Sequence, residues 1–171
     1  MTEPKAAFQS ARQQAVNLRS AILSQFAEIE YVAGLAIQAS RKHPEYMALK
    51  PAFPPMISGK LERLRQFTLS GPWAKTAGDL SDLLARLEAF KTARTYLAHG
   101  CATPAVTAKG VPLLVFDLLR ATKGEGTPER HVLTVDEAKR LSAEIAELAP
   151  AILDAIAHMT GNKPKVVPVA A

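Results

Sequence analysis

Apolar residues recur at spacings of three and four along the first forty residues, the repeat that is typical of an amphipathic helix. The pattern runs from Pro4 to about Lys42. Its apolar positions are Ala15, Leu18, Ile22, Phe26, Ile29, Ala33 and Ala36. Thr2 stands where an N-cap belongs, with Pro4 in the first turn. The sequence therefore predicts a long first helix with one apolar face.

Prolines interrupt the pattern after this helix. The stretch "HPEYMALKPAFPPM" contains four prolines and is predicted to be a connecting loop. Ser58 is expected to cap a short helix over "GKLERLRQF", which "SGPW" at residues 70–73 ends.

A second strong helical pattern runs from about Asp79 to Ala98. Its apolar face carries Leu80, Leu83, Leu87, Phe90 and Leu97. Gly100 follows at the position where a left-handed residue commonly ends a helix. One continuous helix with a glycine C-cap is therefore predicted.

The pattern then changes to short apolar runs that are typical of strands. "TPAVTA" and "PLLVFDLLRAT" flank a Lys-Gly pair, "KGEGTPE" is predicted to be a turn, and "RHVLTV" is a third short run. Thr134 with Glu137 three residues later forms a capping box, which predicts the start of the last helix. The apolar face of that helix carries Leu141, Ile145, Leu148, Ile152 and Ile156.

These elements together predict a mainly α fold. We expect an antiparallel bundle of about four helices with a small β-hairpin inserted before the last helix. Residues 1–160 are predicted to form a single domain. The Pro-containing tail, residues 161–171, lacks an apolar face and is predicted to be disordered.

Composition narrows the classes of protein that the chain can belong to. The longest uncharged apolar run, residues 31–40, is too short to span a bilayer. The polar start of the chain does not resemble a secretion signal, so we expect a cytoplasmic protein without a membrane partner. The single cysteine, Cys101, excludes an internal disulfide and a thiolate zinc site, and we expect it to be buried. His43, His131 and His158 lack metal-ligand spacing and are expected on the surface.

The net charge of +5 is compatible with a polyanionic partner. Between residues 41 and 65, six basic residues stand against two acidic ones. The basic residues are Arg41, Lys42, Lys50, Lys60, Arg63 and Arg65. Aromatic residues do not interleave with them as they do in single-strand binders, so a solvated surface is the favoured interpretation.

One cation stands within the apolar face of the second helical pattern. At about 100° per residue, Arg94 falls in the same arc as Leu87 and Leu97, while His99 lies about 140° around from Arg94. A guanidinium in such a position is costly unless it is paired or faces a cleft or a partner. The alternative is structural, because an arginine can extend to solvent and a histidine in a last helical turn suits the helix dipole.

The stretch "RTYLAHG", Arg94 to Gly100, resembles the motif of the HEPN superfamily, in which an Arg and a His end a core helix. The resemblance covers about residues 10–158. It implies an all-α bundle that dimerises through the motif helices. Many HEPN proteins are metal-independent ribonucleases, often toxins paired with a nucleotidyltransferase antitoxin, and others bind RNA or protein partners without cutting.

The resemblance assigns roles to residues of this chain. Arg94 and His99 are the candidate catalytic pair, and Thr95 stands where active members usually carry Asn, Asp or another strongly polar residue. Lys91 and Tyr96 are candidates for contacts to RNA. No cofactor or metal is expected, because a histidine and a guanidinium suffice for cleavage by the RNA 2′-hydroxyl. Two alternatives stay open, a non-catalytic module that binds RNA or protein, and an unrelated bundle in which the motif only ends a helix.

Overall fold

A computed structural model describes residues 3–49, 52–122 and 125–162. The helices in these ranges are α1 (Glu3–Ser40), α2 (Ile57–Leu69), α3 (Leu80–Glu88), α4 (Lys91–His99) and α5 (Val135–Thr160). The strands are β1 (Cys101–Val106), β2 (Pro112–Thr122) and β3 (Glu125–Thr134). The predicted mainly helical fold with a small antiparallel β element before the last helix is confirmed. Within the described ranges that element is a three-stranded sheet and not the predicted hairpin, and the α-helices number five instead of about four. The HEPN-like bundle stays a prediction.

The chain folds as two compact units. Unit 1 contains the described residues up to Gln25 together with Ala89–Ala146. Unit 2 contains Phe26–Glu88 together with the described residues after Ala146. Helices α1 and α5 each contribute one part to either unit. No helix within the described ranges is long and apolar enough to cross a membrane.

The sheet of unit 1 is an antiparallel meander with β2 in the centre. Leu114 and Phe116 of β2 are buried, and the side chains between and beyond them alternate to the other face. In β3, His131 lies opposite Phe116, so it shares the buried face. The prolines of β1 and β3 occur in edge strands, where a missing N–H is tolerated.

The core of unit 2 contains an aromatic cluster. Tyr46, Phe67 and Trp73 are all buried, and their ring centroids lie 4.6 to 5.3 Å apart. The Trp73 backbone N–H donates to the Tyr46 hydroxyl at 2.8 Å. His43 also packs its ring on Tyr46 and Trp73, so its predicted place on the surface is wrong, because this ring completes the cluster.

The apolar faces predicted for the first and last helices are largely confirmed. In α1, Ile22, Phe26, Ile29, Ala33 and Ala36 are buried. In α5, Ile145, Leu148, Ile152 and Ile156 are buried. The capping box at the start of α5 is also present, since the Thr134 N–H donates to Glu137 Oε2 at 2.7 Å and the Glu137 N–H donates to Thr134 Oγ1 at 3.1 Å. The predicted Thr2 cap and most of the tail lie outside the described residues.

Three local predictions are wrong. Met56, and not Ser58, occupies the N-cap of α2, without a side-chain cap. The single helix predicted from Asp79 to Ala98 is two helices, because the chain leaves the α-helical repeat at Ala89 and Phe90, where Phe90 adopts φ −90° and ψ −1°. The turn predicted over "KGEGTPE" is wrong from Glu125 onward, since β3 already begins there, and residues 123 and 124 lie outside the described residues.

Candidate functional site

Helix α4 carries the motif, and its end is fixed by the strand that follows it. Gly100 has φ −76° and ψ 144°, an extended conformation, so the predicted left-handed glycine is wrong. Its N–H donates to the Tyr96 carbonyl at 2.8 Å. A Cβ at position 100 would lie 2.6 Å from that carbonyl oxygen and 3.1 Å from Phe116 Cβ. Glycine is therefore required by the close approach of strand and helix, and the chain passes from His99 into β1 through one residue.

Arg94 lies one turn into α4 and is half-buried. Its Nε atom is buried and has no hydrogen-bond acceptor among the described residues. No described carboxylate forms an ion pair with its guanidinium. A buried donor without an acceptor costs about 1–3 kcal/mol. The structural alternative of an arginine paired with a buried carboxylate therefore gains no support from the described residues.

His99 is the last residue of α4, and its side chain is exposed. Both Arg94 and His99 belong to the described part of the chain, and their side chains do not hydrogen-bond to each other. An imidazole at this exposed position is open to a ligand.

Arg19 of α1 is a residue of this region that the sequence analysis missed. Its Nη2 donates to the backbone carbonyl of Ala98 at 3.2 Å, directly before His99. The signal was weak, because Arg19 lies at the edge of the apolar arc of α1, about 20° from Phe26 and about 40° from Ala15. A carbonyl of the last helical turn lacks an intrahelical partner, and Arg19 satisfies it. A second guanidinium is thereby held beside the end of the motif helix.

The Thr95 hydroxyl is already engaged within the helix. Thr95 Oγ1 donates to the Lys91 carbonyl at 2.9 Å. This back-bonding is a common conformation of threonine in helices. In this rotamer the hydroxyl hydrogen does not point at His99. Lys91 itself is exposed at the first turn of α4, as a contact to a phosphate would require.

Tyr96 lies on the other side of α4, against the sheet. Its side chain is buried, its hydroxyl donates to Glu129 Oε2 at 2.9 Å, and its ring stacks on His131 with centroids 4.8 Å apart. The hydrogen bond to the Glu129 carboxylate raises the pKa of Tyr96. This geometry gives Tyr96 a packing role between α4 and the sheet. His131 is half-buried, so its predicted place on the surface is wrong.

The sheet beside α4 holds its own charges in pairs. Arg130 donates from Nε to Asp117 Oδ1 at 2.6 Å, and this bond holds the pKa of the Asp117 carboxyl below its usual value. Arg120 Nε lies 3.2 Å from Glu129 Oε2. Cys101 stands opposite Asp117 in β1 and is exposed, so the expected burial of this cysteine is wrong. It begins an edge strand on the face away from Phe116.

The remaining chemistry of the described residues is sparse. No group of three or more His, Cys, Asp or Glu side chains within them is arranged to hold a metal ion. Comparisons of the chain with models of protein families, with curated proteins and with solved structures give no match. The geometry of α4 and the resemblance of its motif are therefore the features from which a function can be inferred.

Proposed function

We propose that the protein is a HEPN-like ribonuclease that cleaves single-stranded RNA without a metal ion. The observation that carries the proposal is the Arg94 guanidinium, which has no acceptor for its buried Nε and no described carboxylate partner, five residues before an exposed histidine. An unpaired guanidinium is a strong site for a phosphate group.

The residues support a transfer in which the RNA itself is the nucleophile. The 2′-oxygen attacks the adjacent phosphorus, and its proton passes to a base. The bond from phosphorus to the 5′-oxygen breaks, and that oxygen receives a proton from an acid. The products are a 2′,3′-cyclic phosphate and a 5′-hydroxyl end. His99 suits the proton transfers, and Arg94 stabilises the charge that develops on phosphorus-bound oxygens.

One imidazole cannot be base and acid in the same step. A two-fold homodimer through the motif helices would supply two copies of His99 and of Arg94 to one cleft. This assembly, and an antitoxin of the nucleotidyltransferase type as a further partner, come from the resemblance of the motif and belong to the proposal.

The test is incubation of the purified full chain with single-stranded RNA in EDTA. We expect cleavage that leaves 2′,3′-cyclic phosphate ends. The His99→Ala variant should lose activity by about 10²–10⁴-fold, with RNA binding little changed, since a proton-transfer group acts mainly in the transition state.

His158 offers a matched control for this variant. It is also exposed and also lies in the last turn of a helix, α5, but in unit 2. His158→Ala should cut like the wild type. Equal cutting by wild type and His99→Ala would reveal a contaminating nuclease and overturn the proposal.

A second function is favoured by Thr95. Because its hydroxyl donates to the Lys91 carbonyl, it contributes no hydrogen bond to a substrate in this rotamer. The alternative is therefore a non-catalytic HEPN-like module that holds RNA on Arg94, Arg19 and Lys91. Fluorescence anisotropy with labelled RNA that shows binding which Arg94→Leu weakens, without cutting by any variant, would favour this function over the enzyme.

A further inference from the structure

The guanidinium of Arg19 is held at the end of α4 by one hydrogen bond and keeps further donors open. Its Nη2 donates to the Ala98 carbonyl, while Nε and Nη1 have no acceptor among the described residues. These two atoms are accessible to solvent, because within the described ranges Arg94 Nε alone is both buried and without a partner. Nη2 has a second hydrogen, so a complete two-donor edge of the guanidinium remains for a ligand.

Arg94 offers a similar open end on the same part of α4. Its Nε is buried, whereas its two Nη atoms are accessible to solvent and have no acceptor among the described residues. Arg94 and Ala98 lie about 6 Å apart along the helix axis and about 40° apart around it. The guanidinium of Arg19 at the Ala98 carbonyl is therefore on the side of α4 from which Arg94 projects.

The segments that bring the two arginines together contain no acidic residue. Residues 4–25, the part of α1 in unit 1, and residues 89–116, which include α4 and β1, lack both Asp and Glu. The cations of these segments are Lys5, Arg12, Arg19, Lys91, Arg94 and Lys109. A stretch of one sign of charge around two half-buried guanidiniums favours an anion at this place.

Carboxylates do occur on the rest of the sheet and on the part of α5 in unit 1. They are Asp117, Glu125, Glu129, Asp136, Glu137 and Glu144. None of them forms an ion pair with Arg19 or Arg94. Glu125 and Glu144 are exposed to water, and the others contact partners of the sheet or of α5. The two guanidiniums are thus not neutralised by the described acidic side chains of their own unit.

We propose that Arg19 binds a second phosphate of the RNA, next to the phosphate that Arg94 binds. This inference rests on the proposed function, because it takes RNA to be the anion at Arg94. One nucleotide advances a stacked strand by about 3.4 Å and an extended strand by more, so phosphates of neighbouring nucleotides suit two cations on one side of α4. The open edge of Arg19 matches two phosphate oxygens. The site therefore selects strands that carry a phosphate beside the one to be cleaved.

The test measures binding separately from cleavage. Dinucleotides with 2′-deoxyribose lack the attacking hydroxyl, so they cannot be cut by the proposed reaction. Calorimetry with the full chain compares the dinucleotide that has only its internal phosphate with those that carry a second phosphate at the 5′ or the 3′ end. We expect one of the two-phosphate compounds to bind about tenfold more tightly or better, and its end identifies the side on which Arg19 lies. No binding of any compound, or equal binding of all three, would overturn the proposal.

Variants assign this preference to Arg19. Arg19→Met should abolish it and leave the affinity for the one-phosphate compound within about twofold, since only the second phosphate loses a partner. Arg12→Met is the matched control, because Arg12 is exposed and lies on α1 about 10 Å before Arg19, and it should keep the preference. Arg19→Lys keeps a donor for the Ala98 carbonyl without a two-donor edge. It serves if Arg19→Met does not fold, and its preference should fall by about threefold or more.

A purely structural role of Arg19, as a donor that ends α4, would give a different result. Arg19→Met would then weaken all three compounds by the same factor, and this outcome would overturn the proposal, as would equal losses in Arg19→Met and Arg12→Met. The corresponding ribose dinucleotides in EDTA report cleavage. If they stay uncut while the preference depends on Arg19, the ribonuclease is wrong and the second phosphate site stands. Cleavage without any preference would overturn the phosphate site alone.

Discussion

The arginines in the sheet of unit 1 have carboxylate partners, whereas those at the neighbouring helix α4 have none among the described residues. In the sheet, Arg130 and Arg120 each contact a carboxylate of a facing strand, at 2.6 and 3.2 Å. In α4, Arg94 has no described carboxylate partner, and Arg19 beside it satisfies only a backbone carbonyl. The arginines of the sheet are thus paired with carboxylates, whereas Arg94 and Arg19 form no ion pair with a described carboxylate.

Exposure makes the difference more informative. The side chain of Arg130 is 67% exposed, where water alone would solvate it, and yet it has a partner. Arg94 is half-buried with a buried Nε, where a partner matters most, and yet it has none. A charge that is costly in the free protein is better explained by an anion that it binds than by the fold itself.

The largest expected effect separates the two regions by activity. If the protein cleaves RNA, Arg94→Leu should lower the rate by about 10²–10³-fold, the usual cost of removing one donor to a developing oxyanion. Arg130→Leu removes the same charge from the sheet and should leave the rate unchanged. Single-turnover cleavage in EDTA measures both variants. Equal losses would mean that only overall charge matters, and the site on α4 would then be wrong.

The next effect concerns Thr95 of α4, whose hydroxyl already donates a hydrogen bond to the Lys91 carbonyl. Thr95→Asn places a longer side chain, with a donor and an acceptor, one turn before His99. We expect a cleavage rate raised by about tenfold if one hydrogen bond worth about 1.4 kcal/mol is gained. The same cleavage assay measures it. A slower Thr95→Asn variant would show that threonine already suits the site.

A smaller effect is expected on stability. Arg94→Leu should raise the free energy of unfolding by about 1 kcal/mol, because it removes a buried donor without an acceptor. Urea unfolding followed by circular dichroism measures it, with Arg130→Leu as the comparison that should lose stability, since it breaks an ion pair. An Arg94→Leu variant that unfolds would show that the arginine has a structural partner.

The smallest effect is a difference in pH dependence. The pKa of Asp117 is lowered by Arg130, and that of Glu137 by the Thr134 N–H. A lowered carboxyl pKa contributes stability that is present above the unfolded pKa of about 4 and is lost as the pH falls through the folded value. Thermal melts from pH 6 to pH 3 should show this loss. Arg130→Leu should flatten it and Arg94→Leu should not, and equal slopes in all three proteins would contradict the comparison.

The sequence predicted the elements of this fold best where the signal was periodic or chemical. The apolar face of α1, that of α5 and the Thr134–Glu137 capping box all follow from spacing, because helix geometry fixes which residues meet. The break between α3 and α4 was missed because Ala89 and Phe90 contain no helix breaker, and the pattern of Leu87, Arg94 and Leu97 continues across it.

The candidate site was predictable only in part for a related reason. Arg94 stood out because it interrupts an apolar arc, and the structure shows the unsatisfied Nε that such a position implies. Arg19 lies 79 residues away from Ala98 in the chain, and a contact of that range leaves no local pattern. The contacts of Tyr96 with Glu129 and His131 likewise depend on the pairing of strands, which the spacing of apolar residues does not predict.

The composition of the two units has a consequence for how the protein matures during synthesis. Each unit takes residues from an early and a late part of the chain, and α5 serves both of them. Neither unit is one continuous segment, so neither can be cut out at a linker and expressed alone. Since chains emerge from the ribosome N-terminus first, we expect both units to stay incomplete until α5 has been released. A ribonuclease built this way would be inactive until its last helix has been synthesised and has packed.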